Sequence, residues 1–319
     1  MRWGNMIYTE LGKSGLQVSR LCFGTLTLGP LQAALPLPEG ADLIRSAFDY
    51  GINFFDTAEL YETYAYLAEG LRGLEDKTVV ASKSYAYDRA GMARSLERAL
   101  RETRREQIDI FLLHEQESAL TIKGHWEALE YLLEAKEKGL VRAVGISTHA
   151  VEAVAVAADL DEIDVIHPLL NYRGLGIKGT LEGMLAAVEK AYRAGKGIYA
   201  MKAFGGGNLL GQIDLAAAFI RQVPWVHSIA VGIKTPEELA MDIRLLLGEE
   251  VPAELRARVS RQKKRLVVEE WCAGCGQCLA ACQQGALVLE GRRVRVREED
   301  CLLCGYCAHF CPEFVIKIF

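Results

Sequence analysis

Cysteine is almost missing from the first 270 residues of this 319-residue chain, where Cys22 stands alone, while the other eight of its nine cysteines follow. Spread-out disulfides are thereby excluded, because most of the chain offers no thiol to cross-link. The sequence also has no stretch of roughly eighteen uncharged apolar residues, and its opening, MRWGNMIYTELGKSG, lacks the apolar core of an export signal. A cytoplasmic protein without a membrane partner is expected. Surplus positive charge is missing too: the formal net charge of −5 provides no footprint for nucleic acid. Low-complexity and tandem-repeat segments are absent, while a half-hydrophobic composition leaves material for a large core.

From about residue 19 to residue 247, eight short β-rich runs alternate with amphipathic helical runs. The expected strands are 19–25, 53–58, 78–83, 108–114, 143–148, 165–171, 197–204 and 228–233. In the third helix Met92, Leu96, Ala99 and Leu100 recur at helical spacing, with Arg94, Glu97 and Arg98 on the other face. Eight strand–helix units predict an α/β fold, a (β/α)₈ TIM barrel over residues 1–247. An open dinucleotide-binding sheet would show G-x-G-x-x-G after its first strand, and FGTLTLGP does not. Ahead of the barrel, MIYTELGKSGLQVSRL reads as two strands around a turn that covers the barrel floor. Residues 248–268 read as a linker helix opened by Pro252, its basic run RQKKR lying on a solvated face.

Residues 269–319 carry the clustered thiols. Cys272, Cys275, Cys278 and Cys282 are spaced x2, x2, x3, and Cys301, Cys304, Cys307 and Cys311 repeat the spacing. Three thiolates in one tight loop wrap three corners of an iron–sulfur cube, and the fourth starts a helix and serves the other cluster. One [4Fe–4S] cluster therefore takes Cys272, Cys275, Cys278 and Cys311, and the second takes Cys301, Cys304, Cys307 and Cys282. Paired zinc sites are the competing reading, but zinc commonly spaces two C-x2-C pairs by a longer loop. The segment resembles the bacterial-type two-cluster ferredoxin, a small α+β domain in which proline follows each fourth cysteine. Pro312 keeps that pattern and Gln283 departs from it. Cys22, among apolar neighbours, reads as a buried inert thiol.

Within the barrel, Asp56 ends the second strand, Tyr61 lies on the loop after it, Lys83 ends the third strand and His114 the fourth. A lysine beside a phenol favours phenolate, an aspartate fixes that lysine, and a histidine across the pocket orients a carbonyl. This Asp–Tyr–Lys–His order, with YTELGKSGLQVSRLCFGT, GINFFDTAELY, REQIDIFLLHEQ, AVGIST and VGIKTPEEL, resembles the aldo-keto reductase family. The resemblance implies that these four are catalytic and that a nicotinamide cofactor lies over the barrel mouth. Gly205, Gly206 and Gly207 would then approach its pyrophosphate, and Gly232, Lys234 and Thr235 its adenosine phosphate. Lys234 favours NADPH, with NADH as the alternative. Asp242, Met201 and His167 stand where the family contacts adenine, nicotinamide ring and carboxamide.

The expected function is an iron–sulfur oxidoreductase: an NAD(P)H-dependent carbonyl reductase acting on a small carbonyl substrate, with the ferredoxin module relaying electrons or docking a redox partner protein or flavin. The alternative is an electron-transfer protein whose barrel is a non-catalytic or flavin- or partner-binding scaffold.

Overall fold

A computed structural model of the chain describes residues 6–319. Two short strands, β1 (Tyr8–Glu10) and β2 (Gln17–Ser19), form an antiparallel pair. Eight parallel strands follow: β3 (Leu21–Gly24), β4 (Phe54–Asp56), β5 (Val79–Ser84), β6 (Ile108–Leu113), β7 (Val141–Thr148), β8 (Val165–Pro168), β9 (Gly197–Met201) and β10 (Ser228–Gly232). Each pairs with its neighbour in chain order, and β10 pairs with β3 to close the barrel.

Period-two alternation sorts the strand residues between two cores. Phe23, Phe55, Val80, Phe111, Leu113 and Ile146 point outward to the helices, where burial of a large side chain is worth roughly 1.5–3 kcal/mol. Cys22, Phe54, Val79, Ala81, Ile110, Leu112 and Tyr199 fill the interior. Leu11, Leu16 and Val18 of the β1–β2 hairpin join that inner core, so the hairpin plugs the floor. Gly12 allows the plug to seat, because a Cβ there would lie 2.3 Å from the amide nitrogen of Gly197. Helix Arg89–Thr103 buries Met92, Leu96 and Ala99 and is capped by Asp88, whose carboxylate accepts from the Gly91 amide at 2.6 Å.

The linker differs from the expected single helix. Helix Ala253–Ser260 follows Pro252, the chain then opens, and β11 (Leu266–Val268) begins the cysteine-rich unit. RQKKR is consequently not a solvated helix face. Gln262 donates to Thr235 Oγ1 at 2.8 Å, and Lys264 lies along a cavity at the barrel mouth. In the terminal unit β12 (Leu287–Glu290) and β13 (Arg293–Val296) form a hairpin, and β14 (Ile316–Ile318) returns antiparallel to β11. Leu266, Val268, Leu287, Val294, Val315, Ile316 and Ile318 make its small core.

This unit is seated on the barrel through β14. Asn208 Nδ2 donates to the carbonyls of Gly205 and Ile316, both at 2.9 Å. At Gly207, φ is +86° and a Cβ would lie 1.7 Å from the Ile318 carbonyl oxygen, so only glycine admits the strand.

Candidate active site

Alternation also places the reactive side chains. Asp56 is in phase with Phe54, Lys83 with Val79 and Ala81, and His114 with Ile110 and Leu112, so all three project inward at the strand ends. The Lys83 ammonium donates to Asp56 Oδ2 and to the Thr57 carbonyl, both at 2.7 Å, in a pair almost sealed from solvent. Tyr199 donates its phenol proton to Asp56 Oδ1 at 3.0 Å. His167 stacks on the Tyr199 ring, with centroids 3.8 Å apart, and its Nε2 lies 3.8 Å from the same carboxylate oxygen.

Tyr61 faces this pair. Lys83 Nζ lies 4.8 Å from the centre of its ring, and the His114 ring meets it edge-on at 5.8 Å between centroids. The expectation that Lys83 draws Tyr61 toward phenolate needs correction. Lys83 spends its charge on Asp56, and burial together with the Asp56 carboxylate pushes the Tyr61 phenol well above its ordinary range. Tyr61 is therefore held as a proton-bearing phenol. His114 is displaced the other way: burial, then Lys83, keep its pKa well below 6.5 and the ring neutral. Its Nδ1 is buried without a hydrogen-bond partner, and its ring stacks on Tyr85 at 4.3 Å.

Two cavities meet here. One, of about 400 Å³, runs from Asp56, Tyr61, His167 and Met201 to Lys234, Asp242, Arg256 and Lys264. Gly206, Gly207, Gly232 and Lys234 line it, whereas Gly205 and Thr235 do not. Thr235 instead caps helix Pro236–Leu247 by accepting from the Glu238 amide, and it receives Gln262. The glycine triplet also serves a purpose other than the expected approach to pyrophosphate, since Gly206 meets Lys317 and Gly207 meets Ile318. The groove suits an extended anionic cofactor: Lys234 and Lys264 stand at a helix N-terminus, and Asp242 is buried with its carboxyl pushed well up. The second cavity, of about 160 Å³, is lined by Tyr61, Lys83, Tyr85, His114, His149 and Lys202 of the barrel. Glu269, Trp271, Phe314 and Lys317 of the terminal unit roof it.

One of the two expected sets of four thiols shares a cavity. Cys272, Cys275, Cys278 and Cys311 line one small cavity. Burial, followed by repulsion from Cys311, Cys272 and Cys275, pushes bare Cys278 up to about 11. Cys307 rises to about 12 through burial and then repulsion from Cys278, followed by Cys304, Cys282 and Cys301. Four such sulfurs coexist as thiolates only around bound cations, so the residues fit iron–sulfur clusters. Cys22 is fully buried in the barrel core.

Residues 20–247 match the family model described as the aldo/keto reductase family, and residues 271–315 match that of a 4Fe-4S dicluster domain. The chain belongs to the aldo/keto reductase family. It is similar to the uncharacterized oxidoreductase YrpG of Bacillus subtilis strain 168, with 28% identity over 65% of this chain and 69% of that protein. Aldo-keto reductase YhdN of the same strain is 25% identical over 52% of this chain and 54% of its own length. The chain thus spans about half to two thirds of these curated relatives. The holo form of aldo-keto reductase AKR11C1 from Bacillus halodurans shares the fold, with a TM-score of 0.62 at 18% identity, covering 81% of this chain and 96% of that one.

Several participants escape sequence reading. Tyr199 of β9 holds Asp56 from the barrel interior, His149 lines the second cavity just after β7, and Glu269 and Lys317 arrive from the iron–sulfur unit. A single lysine inside the apolar run VIKIF was the available signal for Lys317.

Proposed function

We propose that the barrel of this aldo/keto reductase reduces a small carbonyl compound with NADPH. The carrying observation is that Tyr61, Lys83 and His114 line one cavity, and that Asp56, bound to Lys83, lines with Tyr61 the long groove that adjoins it. A bound reduced nicotinamide would supply the hydride; Met201 and His167 would hold its ring end, and Lys234, Lys264 and Asp242 its adenosine end. Tyr61 holds the proton that the carbonyl oxygen needs, and its raised pKa keeps that proton in place until negative charge develops there. His114, neutral at physiological pH, offers a hydrogen bond to the same oxygen without competing as an acid. Lys83 and Asp56 hold the tyrosine's surroundings rigid, and Tyr199 fixes the carboxylate. Phe314, buried, covers part of the pocket from the terminal unit.

The test is nicotinamide binding and aldehyde reduction by the anaerobic full-length protein with both clusters. Tyr61→Phe is expected to lower kcat by about a hundredfold or more while leaving NADPH binding intact. Unchanged turnover, or binding of neither NADPH nor NADH, sinks this assignment. A second reading, an electron-transfer protein with a scaffold barrel, draws on one contact: Glu313 lines both the sulfur cavity and the roofed pocket. It requires that Tyr61→Phe be silent.

A further inference from the structure

The roofed pocket is lined by four lysines and four glutamates, but among the described residues its inner lysines Lys202 and Lys317 have no carboxylate in close contact. Lys202 follows β9 with φ +58°, a left-handed backbone conformation that is costly for any residue but glycine. Its ammonium lies 2.9 Å from His149 Nε2, and among the described residues no carboxylate comes within ion-pair distance of it. Lys317, 5% exposed, enters from β14, donates to the Phe314 carbonyl, and finds its nearest carboxylate, Glu269, only at 4.0 Å. Both ammoniums lie over one ring, Phe314, at 5.3 and 3.4 Å from its centre.

Depth separates the charges. On the inside are Lys83 and Lys202 of the barrel and Lys317 of the roof, against Glu269 of the roof and Asp56, which lines the adjoining groove, three cations to two carboxylates. Glu115 and Glu117, with side chains 41% and 56% exposed, stand at the rim. Glu115 accepts from Tyr85 and Glu117 pairs with Lys178. Glu313, also exposed, completes the rim. A buried cation without a partner is destabilised unless an anion joins it. Burial and mutual repulsion push Lys317 well below the ordinary lysine range, and the Cys311 and Glu269 charges oppose that shift.

Building on the reductase assignment, we propose that the substrate of this pocket is a small carbonyl compound bearing an anionic group, a carboxylate or a phosphate, gripped between Lys202 of the barrel and Lys317 of the iron–sulfur domain. The substrate site is thus completed only when the two domains are docked. Because both lysines also line the long groove, the diphosphate of the cofactor is the rival anion, and the test separates the two.

Succinate serves as the probe because it carries the charge and has no carbonyl to reduce. Its binding to the cluster-loaded full chain is measured by calorimetry, with and without saturating NADPH, against neutral 1,4-butanediol. Wild type is expected to bind succinate and not the diol, with NADPH present as well as absent. Lys202→Gln and Lys317→Gln should each weaken succinate binding tenfold or more, and Lys317→Arg should restore it. The proposal is overturned if wild type binds succinate no better than the diol, or if NADPH abolishes succinate binding. It also fails if the glutamine variants lose NADPH affinity and keep succinate affinity. Succinate binding by a protein that reduces no aldehyde would uphold the anion site and refute the reductase assignment separately.

Discussion

His167 shows how burial adjusts a single side chain against its partner. Its ring lies against Tyr199, and Nδ1 meets the Tyr199 carbonyl at 2.6 Å; burial lowers its pKa from 6.5 to about 4, although nearby Asp56 pulls upward. The unfolded chain therefore takes up a proton near pH 6.5 that the folded protein refuses until about pH 4, so stability falls on acidification through this window. His114 and His149 act in the same direction, and the raised carboxyl of Asp242 acts in the opposite one. Comparison with His167→Gln isolates one group: urea unfolding should show the variant losing up to about 3 kcal/mol less than wild type across that range. Parallel losses would mean that His167 is already charged in the native state. At this scale Asp56, Lys83 and His114 were legible, because alternation along strands places strand-end residues without knowledge of the whole fold. The protonation of Tyr61 was not, since it depends on Lys83 being committed to Asp56, a contact that no sequence spacing reveals.

Among the elements, β14 and the glycine turn at 205–207 depend on each other. Three consecutive glycines after a barrel strand carry a phosphate-binding expectation, and that pattern alone cannot tell an approaching phosphate from an approaching strand. Both need a backbone without side chains. The structure brings the Ile318 carbonyl into the space a Gly207 side chain would occupy. Gly207→Val should lift β14, and its partner β11 with it, off the barrel mouth. Amide exchange over residues 266–268 and 316–318 is expected to quicken by about tenfold or more. Gly211→Val is the matched control, because a Cβ there meets nothing within 4 Å. Equal protection in both variants would show that the seat does not rest on this contact. The barrel strands themselves were legible nearly to their ends. The linker was not, because the turn of Gln262 to Thr235 and of Lys264 to the groove depends on neighbours that the run RQKKR does not reveal.

For the molecule as a whole, the question is whether the iron–sulfur domain and the catalytic pocket influence each other. Neither the strand–helix rhythm nor the cysteine spacing carries that information, since each is local and the contact joins residues more than a hundred positions apart. Lys317 is the point of contact: its ammonium lines the roofed pocket and feels the charge of Cys311, which the spacing assigns to the first cluster. A cube held by four thiolates becomes more negative on reduction, and a neighbouring cation stabilises that reduced form. Lys317→Met should accordingly lower the midpoint potential of one cluster and leave the other near its wild-type value. A shift of roughly 59 mV corresponds to a tenfold change in the one-electron equilibrium. Dye-mediated titration followed by electron paramagnetic resonance measures it, with Lys178→Met, at the rim, expected to change neither potential. By linkage, an anion that neutralises Lys317 in the wild type must lower the same potential, and cluster reduction must weaken anion binding by the same factor. Two potentials that ignore both the substitution and added succinate would show that the domains share a surface and nothing more.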